Sequence, residues 1–391
     1  MHPKLVLRPF QREALERLRQ PDVRHLICIS PTGSGKSLIY QEHLIQSGVR
    51  LLLITPLVAL GRQQASQLRA AGVRTRVGSP SADSTGFQAW ILSPEALLHE
   101  STRRELLSWR PQFLAVDECH CLWDWGEDFR PAFQKVPELV EILPSIKKSL
   151  WLTATLPRGA RDDLTQRLAK SGPVCELGRF SLPGELSLTL RRVAYPNRAS
   201  ALLKDLGRAE EPGILFSGTR LNAERLSALA SAAGIRAAHY HAGLSREERL
   251  VLERQVSSHQ LRLIVATSAF GMGMDFSHLS RVWLWRPPWS LLELAQAVGR
   301  VGRAGRTGVA TLFWDPWDFR SLARNAQSSE RRIHQLMAVR DFLERTGCRR
   351  RHLTEAFEES EDAESAECSD VSRPCDICSL KLGRAALRSL P

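Results

Sequence analysis

One segment constrains this chain more than any other: Leu26-Ile-Cys-Ile29, then Ser30-Pro-Thr32-Gly33-Ser34-Gly35-Lys36-Ser37, then a helical run to Leu44. It reads as a buried strand, a glycine-containing turn and a helix. In such a turn the backbone N–H groups can cradle phosphates, and the helix N-terminus adds its positive end. Lys36 is placed to reach β- and γ-phosphates, and the Ser37 hydroxyl to coordinate Mg²⁺. Ser30 stands where the general pattern has its first glycine. A strand that feeds a phosphate loop and a helix belongs to a parallel sheet, so an α/β fold is expected.

The next segments agree. Leu51–Ile54 is an apolar strand followed by Thr55-Pro56, and residues 59–71 form a helix carrying Arg62, Gln63 and Gln64. Residues 89–92 repeat the strand-then-proline arrangement, ending in Ser93-Pro94-Glu95, and Leu150-Trp-Leu precedes Thr153-Ala-Thr155. Strands alternating with helices at this spacing indicate a doubly wound parallel sheet. The central strand Phe113-Leu-Ala-Val116 ends in Asp117-Glu118. Two adjacent carboxylates there suit a nucleotide hydrolase: Asp117 would hold Mg²⁺, and Glu118 would position or deprotonate the attacking water. An acidic turn after any buried strand would look the same alone; the upstream phosphate loop selects the catalytic reading.

Before the loop, Leu-Val-Leu-Arg8-Pro9-Phe10-Gln11 leads into an amphipathic helix with Leu15 and Leu18 at helical spacing. Gln11 is either a solvated helix-start residue or a reader of an adenine edge. Around residues 172–195 the pattern loosens into Gly, Pro and Ser, an expected link between domains. A second αβ series follows, with strands at 213–216, 261–266 and 281–285 and a helix over 221–233. It has no phosphate loop. It offers instead a glycine-interrupted arginine cluster in Gln296-Ala-Val-Gly299-Arg300-Val301-Gly302-Arg303-Ala-Gly305-Arg306, suited to meeting a phosphate held by the first half.

Composition narrows the class. Lys and Arg number 54 against 42 Asp and Glu, a net charge of +12 that favours a polyanionic partner. The chain has no signal peptide and no apolar run of membrane-spanning length, so a soluble intracellular protein without membrane contact is expected. Cys28, Cys119, Cys121 and Cys175 lie in apolar or strand-edge contexts and read as ordinary reduced thiols. Cys348, Cys368, Cys375 and Cys378 crowd the C-terminus, where a Cys-x-x-Cys pair preceded by two further cysteines supplies four soft ligands for a closed tetrahedral Zn²⁺ site. Six residues separate Cys368 from Cys375, so His352 is an alternative to Cys368 as fourth ligand.

Over residues 5–380 the chain resembles the RecQ family of superfamily 2 DNA helicases. The resemblance rests on the Asp117-Glu-x-His120 box with Trp125-Gly-x-Asp-Phe129-Arg130-Pro131 behind it, and on Tyr240-His-Ala-Gly-Leu244. Ala266-Thr-x-Ala-Phe-Gly-Met-Gly-x-Asp275 and Gln296-x-x-Gly-Arg300-x-Gly-Arg303 complete it. It implies two tandem RecA-like domains, each a parallel sheet flanked by helices, followed by a small helical zinc-binding module. The expected boundaries are 1–178, 179–320 and 321–391. The implied cofactors are ATP with Mg²⁺, and Zn²⁺. Arg8, Gln11, Thr32, Gly33, Ser34, Gly35, Lys36, Ser37, Asp117 and Asp275 would contact the nucleotide or its Mg²⁺, with Gln11 as the adenine reader. Lys36, Asp117, Glu118 and His120 would carry the chemistry, with Arg300 and Arg303 as arginine fingers. Thr153 to Thr155 would link the nucleotide to the cleft. Trp125, Phe129 and Arg130 would form a loop that senses single-stranded DNA.

The chain departs from the family in places. Lys4 stands where members carry an adenine-stacking aromatic residue, which implies relaxed purine selectivity, and Cys119 replaces the alanine of the box. Phe276 replaces a frequent lysine. Trp283, Trp285 and Trp289 are unusual, and read as core or as an extra base-stacking surface. Thirteen residues follow Cys378, so the winged helix and further accessory domain of many members are expected to be absent. The expected activity is ATP-driven 3′ to 5′ translocation on single-stranded DNA and unwinding of duplex, in DNA repair or recombination. A monomer in the bacterial cytoplasm, associated with the nucleoid, is expected. An RNA helicase or remodelling translocase shares this motor, and a non-catalytic nucleic-acid-binding protein would have lost a loop or carboxylate residue.

Overall fold

Four runs, His25–Ile29 (β1), Leu51–Ile54 (β2), Ala89–Leu92 (β4) and Phe113–Asp117 (β5), are buried at every residue. Such runs belong to parallel strands covered on both faces. With Thr75–Val77 (β3), Lys148–Thr153 (β6) and Val174–Leu177 (β7) they form a seven-stranded sheet in the order β3-β4-β2-β5-β6-β1-β7, parallel at each pairing. The computed structural model describes residues 6–56, 58–80, 86–124, 131–267, 270, 278–303, 305–326, 329–359, 368 and 374–381.

The chain divides into two compact units, residues 1–180 and 181–391. The first has a core on each face of its sheet. One gathers Trp90, Trp151, Phe133 and Leu164, the other Leu15, Tyr40, Leu68 and Phe113. The starts of β2, β5 and β6 are laced at one edge: Gln112 N and Phe113 N donate to Arg50 O, and Lys147 N donates to Gln112 O.

In the second unit Leu186–Arg192 (β8), Gly213–Phe216 (β9), Ala237–Tyr240 (β10), Leu263–Ala266 (β11), Arg281–Leu284 (β12) and Gly308–Trp314 (β13) form a parallel sheet. The strand order is β10-β11-β9-β12-β13-β8. The stretch expected as a link therefore carries structure: β7 closes the first sheet and β8 opens the second. Trp283 and Trp285 are core residues, packed with Leu202, Leu215 and Phe313, while Trp289 is partly exposed. Burying Arg198 completely is tolerable because both of its terminal nitrogens are paired, with the two Asp318 oxygens at 2.8 and 3.1 Å and with Trp285 O at 2.8 Å.

The C-terminal cysteines belong to this second unit. Helices Pro316–Asn325, Glu330–Glu344 and Arg349–Thr354 lead to them. Three contacts fasten the module to the sheet: Leu190 N donates to Asp376 Oδ2 (3.2 Å), Ser187 Oγ to Pro374 O (3.0 Å), and Arg350 to the carbonyls of Leu182, Pro183 and Leu186 (2.9 to 3.1 Å). Among the described residues no helix is long and apolar enough to cross a membrane.

Candidate active site

Because β1, β6 and β5 are neighbours running parallel, the residues that follow them emerge at one sheet edge: the phosphate loop, Thr153 to Thr155, and Asp117-Glu118. Ser30 N donates to Thr153 O (3.0 Å), fixing the start of the loop to β6. Gly33 and Gly35 are left-handed, at φ 78° and 79°. The left-handed φ makes glycine the natural residue at Gly35, and a Cβ there would stand 2.6 Å from Gln11 Nε2 and displace that amide. Lys36 is buried at 9% exposure, and its ammonium donates to Ser30 O (2.8 Å) and Pro31 O (3.1 Å). Ser37 opens the helix Ser37–Ser47, at the end that attracts anions. Thr32 and Ser34 are partly exposed on the loop.

The helix Pro9–Arg19 brings two further residues to this loop. Gln11 is buried at 3% exposure, so it is not a solvated helix-start residue. Its amide donates to Ser34 O (3.1 Å) and Gly35 O (2.9 Å), and its Oε1 accepts from Arg8 N (2.8 Å). Arg8 Nη1 donates to Gly33 O (3.2 Å). Both side chains thus set the position of the phosphate loop.

Asp117 is buried at 8% exposure beside Glu118. Burial, then the neighbouring Glu118 charge, push its carboxyl up to about 7, against the pull of Lys36. Its Oδ1 accepts from Glu118 N (3.0 Å) and its Oδ2 from the Gln64 amide (2.6 Å). Gln64 carries no motif, yet it sits midway between Leu60 and Leu68 on the buried stripe of its helix. A polar residue inside an apolar i, i+4, i+8 stripe is the signal by which it could have been found.

Glu118 adopts a left-handed backbone, φ 52°, a conformation worth on the order of 1 to 3 kcal/mol of strain for such a residue. The turn aims its carboxylate at His120, whose Nδ1 lies 3.4 Å from Glu118 Oε2 and 3.0 Å from Thr153 Oγ1. The Thr153 hydroxyl lies 2.9 Å from Thr155 O, and when it donates there its oxygen accepts from His120 and Nδ1 carries the proton. Glu118, His120, Thr153 and Thr155 therefore form one connected chain from β5 to the end of β6.

The residues fit a magnesium nucleotide. The loop is a glycine cradle at a helix N-terminus, and a buried aspartate raised by its acidic neighbour is stabilised by a divalent cation. Ser37 and Asp117 offer the hard oxygen ligands that Mg²⁺ prefers.

In the second unit Arg300 and Arg303 follow the helix Leu291–Val298. Gly302 between them is left-handed at φ 74°, and its Cα faces Pro183 and Leu186. Arg303 is buried at 9% exposure and its Nε donates to Gly299 O (3.0 Å). Lys4, Trp125, Phe129, Arg130, Asp275 and Phe276 lie outside the described residues.

The four C-terminal cysteines converge, with all Sγ atoms within 4.8 Å of one another. Zinc–thiolate bonds of about 2.3 Å place tetrahedral sulfurs about 3.8 Å apart, so the cluster fits a Zn²⁺ ion. Backbone donors already face the sulfurs, Arg349 N to Cys375 (3.4 Å) and Cys375 N to Cys368 (3.3 Å), as thiolates require. The converging group includes Cys368 and not His352. Arg349 and Arg350, next to Cys348, are buried at 6% and 5%.

Three family profiles match the chain in order: DEAD/DEAH box helicase over residues 8–163, helicase conserved C-terminal domain over 197–305, and RecQ zinc-binding over 316–379. Two RecA-like units with a phosphate loop, an Asp-Glu-x-His box and a Gln-x-x-Gly-Arg-x-Gly-Arg segment give the chain the architecture of a superfamily 2 helicase core. The chain is 30% identical over 370 residues to "ATP-dependent DNA helicase RecQ" of Pasteurella multocida, covering 90% of this chain and 57% of that protein. It is 28% identical over 384 residues to the protein of the same description in Bacillus subtilis, covering 93% and 64%. With the zinc-binding profile in place behind both helicase profiles, the chain belongs to the RecQ family. It spans about three fifths of the length of these relatives. Among solved structures, Saccharomyces cerevisiae Dbp5 bound to RNA and ADP BeF3 superposes with a TM-score of 0.65 at 18% identity, over 82% of this chain and 86% of that one.

Proposed function

We propose that this protein is an ATP-dependent DNA helicase core that translocates 3′ to 5′ on single-stranded DNA and serves DNA repair or recombination. The observation that carries the reading is the phosphate loop one strand away from Asp117-Glu118, with Glu118 tied through His120 to Thr153 and Thr155. Lys36 exchanges its loop carbonyls for phosphate oxygens when nucleotide binds, and Glu118 orients and deprotonates the attacking water. His120 holds the Glu118 carboxylate in place and passes its position to the Thr153 hydroxyl. Bound Mg²⁺, held by Ser37 and Asp117, would supply neutralisation of charge on the phosphates. Arg8 and Gln11 set the loop, with Gln11 selecting adenine, and Thr32, Gly33, Ser34 and Gly35 line the phosphate path.

Arg300 and Arg303 are assigned to charge stabilisation in the transition state, with Asp275 as a further nucleotide contact. Arginine fingers contribute about 10³ to 10⁵ in related phosphoryl transfers. Arg303→Ala is therefore expected to lower kcat by orders of magnitude with a smaller change in nucleotide Kd; a change confined to KM would mark a ground-state role.

Trp125, Phe129 and Arg130 follow Glu118 closely in sequence and are proposed to couple hydrolysis to exposed bases. Stacking needs an unpaired base and is worth roughly 1 to 3 kcal/mol each. The test is ATP hydrolysis with single-stranded DNA, RNA or neither. DNA stimulates the wild type more than RNA does, and Phe129→Ala keeps basal hydrolysis but loses most of the stimulation. Stronger stimulation by RNA would favour the RNA helicase reading.

A further inference from the structure

At the edge of the first sheet opposite the phosphate loop, where β2, β5 and β6 begin, a cleft of 460 Å³ is lined by Arg50, Leu107, Arg110, Gln112, Pro144, Ser145 and Lys147. The lining holds three cations and no carboxylate. Among the described residues none of the three side chains has an acidic partner, and Lys147 makes only a long bond to Pro144 O (3.4 Å). Arg50 and Lys147 immediately precede strands separated by one neighbour, so their backbones are about 10 Å apart. The floor between them is rigid, because Gln112 bonds both: its Oε1 accepts from Arg50 N (3.1 Å) and its carbonyl from Lys147 N (2.8 Å). Side chains of like charge held on such a floor repel one another, and an anionic ligand relieves that repulsion.

Arg110 adds a second, independent observation. It ends the helix Glu100–Trp109 in a left-handed conformation, φ 53°, where glycine is the easy residue. Its exposed guanidinium enters the cleft lining at the expense of backbone comfort. The cleft is also partly apolar: Leu107 is 52% exposed on the last turn of the same helix, facing the lining with Pro144. A bare phosphate backbone gains nothing from Leu107 and Pro144.

We propose that this cleft docks an acidic peptide segment of a partner protein, its carboxylates meeting Arg50, Arg110 and Lys147 and an apolar side chain covering Leu107. The site belongs to the first unit alone, away from the residues assigned to nucleotide chemistry. It would recruit a partner without occupying them.

The test uses the full chain and a short fluorescein-labelled peptide alternating Asp or Glu with Leu, followed by fluorescence anisotropy. Controls are the same peptide with Gln for every acid, and labelled single-stranded and duplex oligonucleotides. The acidic peptide binds and the neutral one does not. Arg110→Glu combined with Lys147→Glu weakens peptide binding by about tenfold or more, with basal ATP hydrolysis unchanged. Arg110→Gly is the control for folding: it relieves the left-handed strain, so it melts no lower than the wild type, yet binds the peptide more weakly. Peptide affinity that is absent in the wild type or unchanged in these variants overturns the proposal. So does a loss confined to oligonucleotide binding, which would make the cleft a DNA phosphate contact.

Discussion

Glu118→Gln is expected to keep nucleotide and Mg²⁺ bound while lowering turnover by about 10² to 10⁴, the range supplied by a positioned general base. Glutamine preserves the size of the side chain and still offers His120 Nδ1 an acceptor where Glu118 Oε2 stands, 3.4 Å away. It removes only the basic oxygen. Asp117 benefits, because the Glu118 charge is one of the causes that raise its carboxyl, so the carboxylate proposed to hold Mg²⁺ ionises more readily in the variant. Lys36→Ala should behave oppositely, losing nucleotide affinity as well as turnover. Glu118→Gly sharpens the comparison, since glycine relaxes the left-handed φ of 52° and the protein should melt higher although inactive. Equilibrium binding of a fluorescent nucleotide and steady-state phosphate release measure both terms. Turnover at the wild-type rate in the Gln variant would remove Glu118 from the mechanism.

The second large effect concerns the cysteines. Binding free energy at a structural zinc site is folding free energy, about 10 to 16 kcal/mol in small zinc modules. Cys375→Ser, or treatment with a strong chelator, should therefore unfold more than the module itself. Asp376, beside Cys375, accepts from Leu190 N of β8 and from Arg349 Nε (3.3 Å), while Arg350 holds the carbonyls of residues 182, 183 and 186. These contacts pass the loss to the edge of the second sheet. Calorimetry should show the second unit melting lower while the first is unchanged, and elemental analysis should find one zinc ion per wild-type chain. A metal-free preparation with an unshifted transition and four free C-terminal thiols would refute the assignment.

What the sequence disclosed follows from burial. β1, β2, β4, β5 and β6 are apolar over most of their length because both faces are covered, and each was legible with the motif at its end. Strands of mixed exposure were not. β3 has three residues, β7 is half-exposed at a sheet edge and β10 mixes polar and apolar positions, while β8 alternates over Leu186-Ser-Leu-Thr-Leu190 inside a stretch that reads as a link, and the mostly buried β13 follows the arginine cluster without a motif of its own. The motif residues of the first unit were legible because their chemistry fixes their spacing. Their supports were not. Gln64 is held on Asp117, Gln11 on the loop carbonyls, and Arg198, Arg349 and Arg350 are buried through pairings between residues distant in sequence. A charge whose partner lies far along the chain reads locally as a solvated surface group. The strain at Glu118 was equally invisible, since a left-handed glutamate has no signature in composition or period.

The most direct measurement is strand separation, with the wild type and Glu118→Gln each mixed with a duplex carrying a single-stranded tail at the 3′ or the 5′ end. With ATP and Mg²⁺ the wild type should separate the 3′-tailed duplex in preference to the 5′-tailed one, and the variant should separate neither. A wild type that hydrolyses ATP in a DNA-stimulated manner yet leaves the 3′-tailed duplex intact, or that prefers the 5′ tail, would contradict the account.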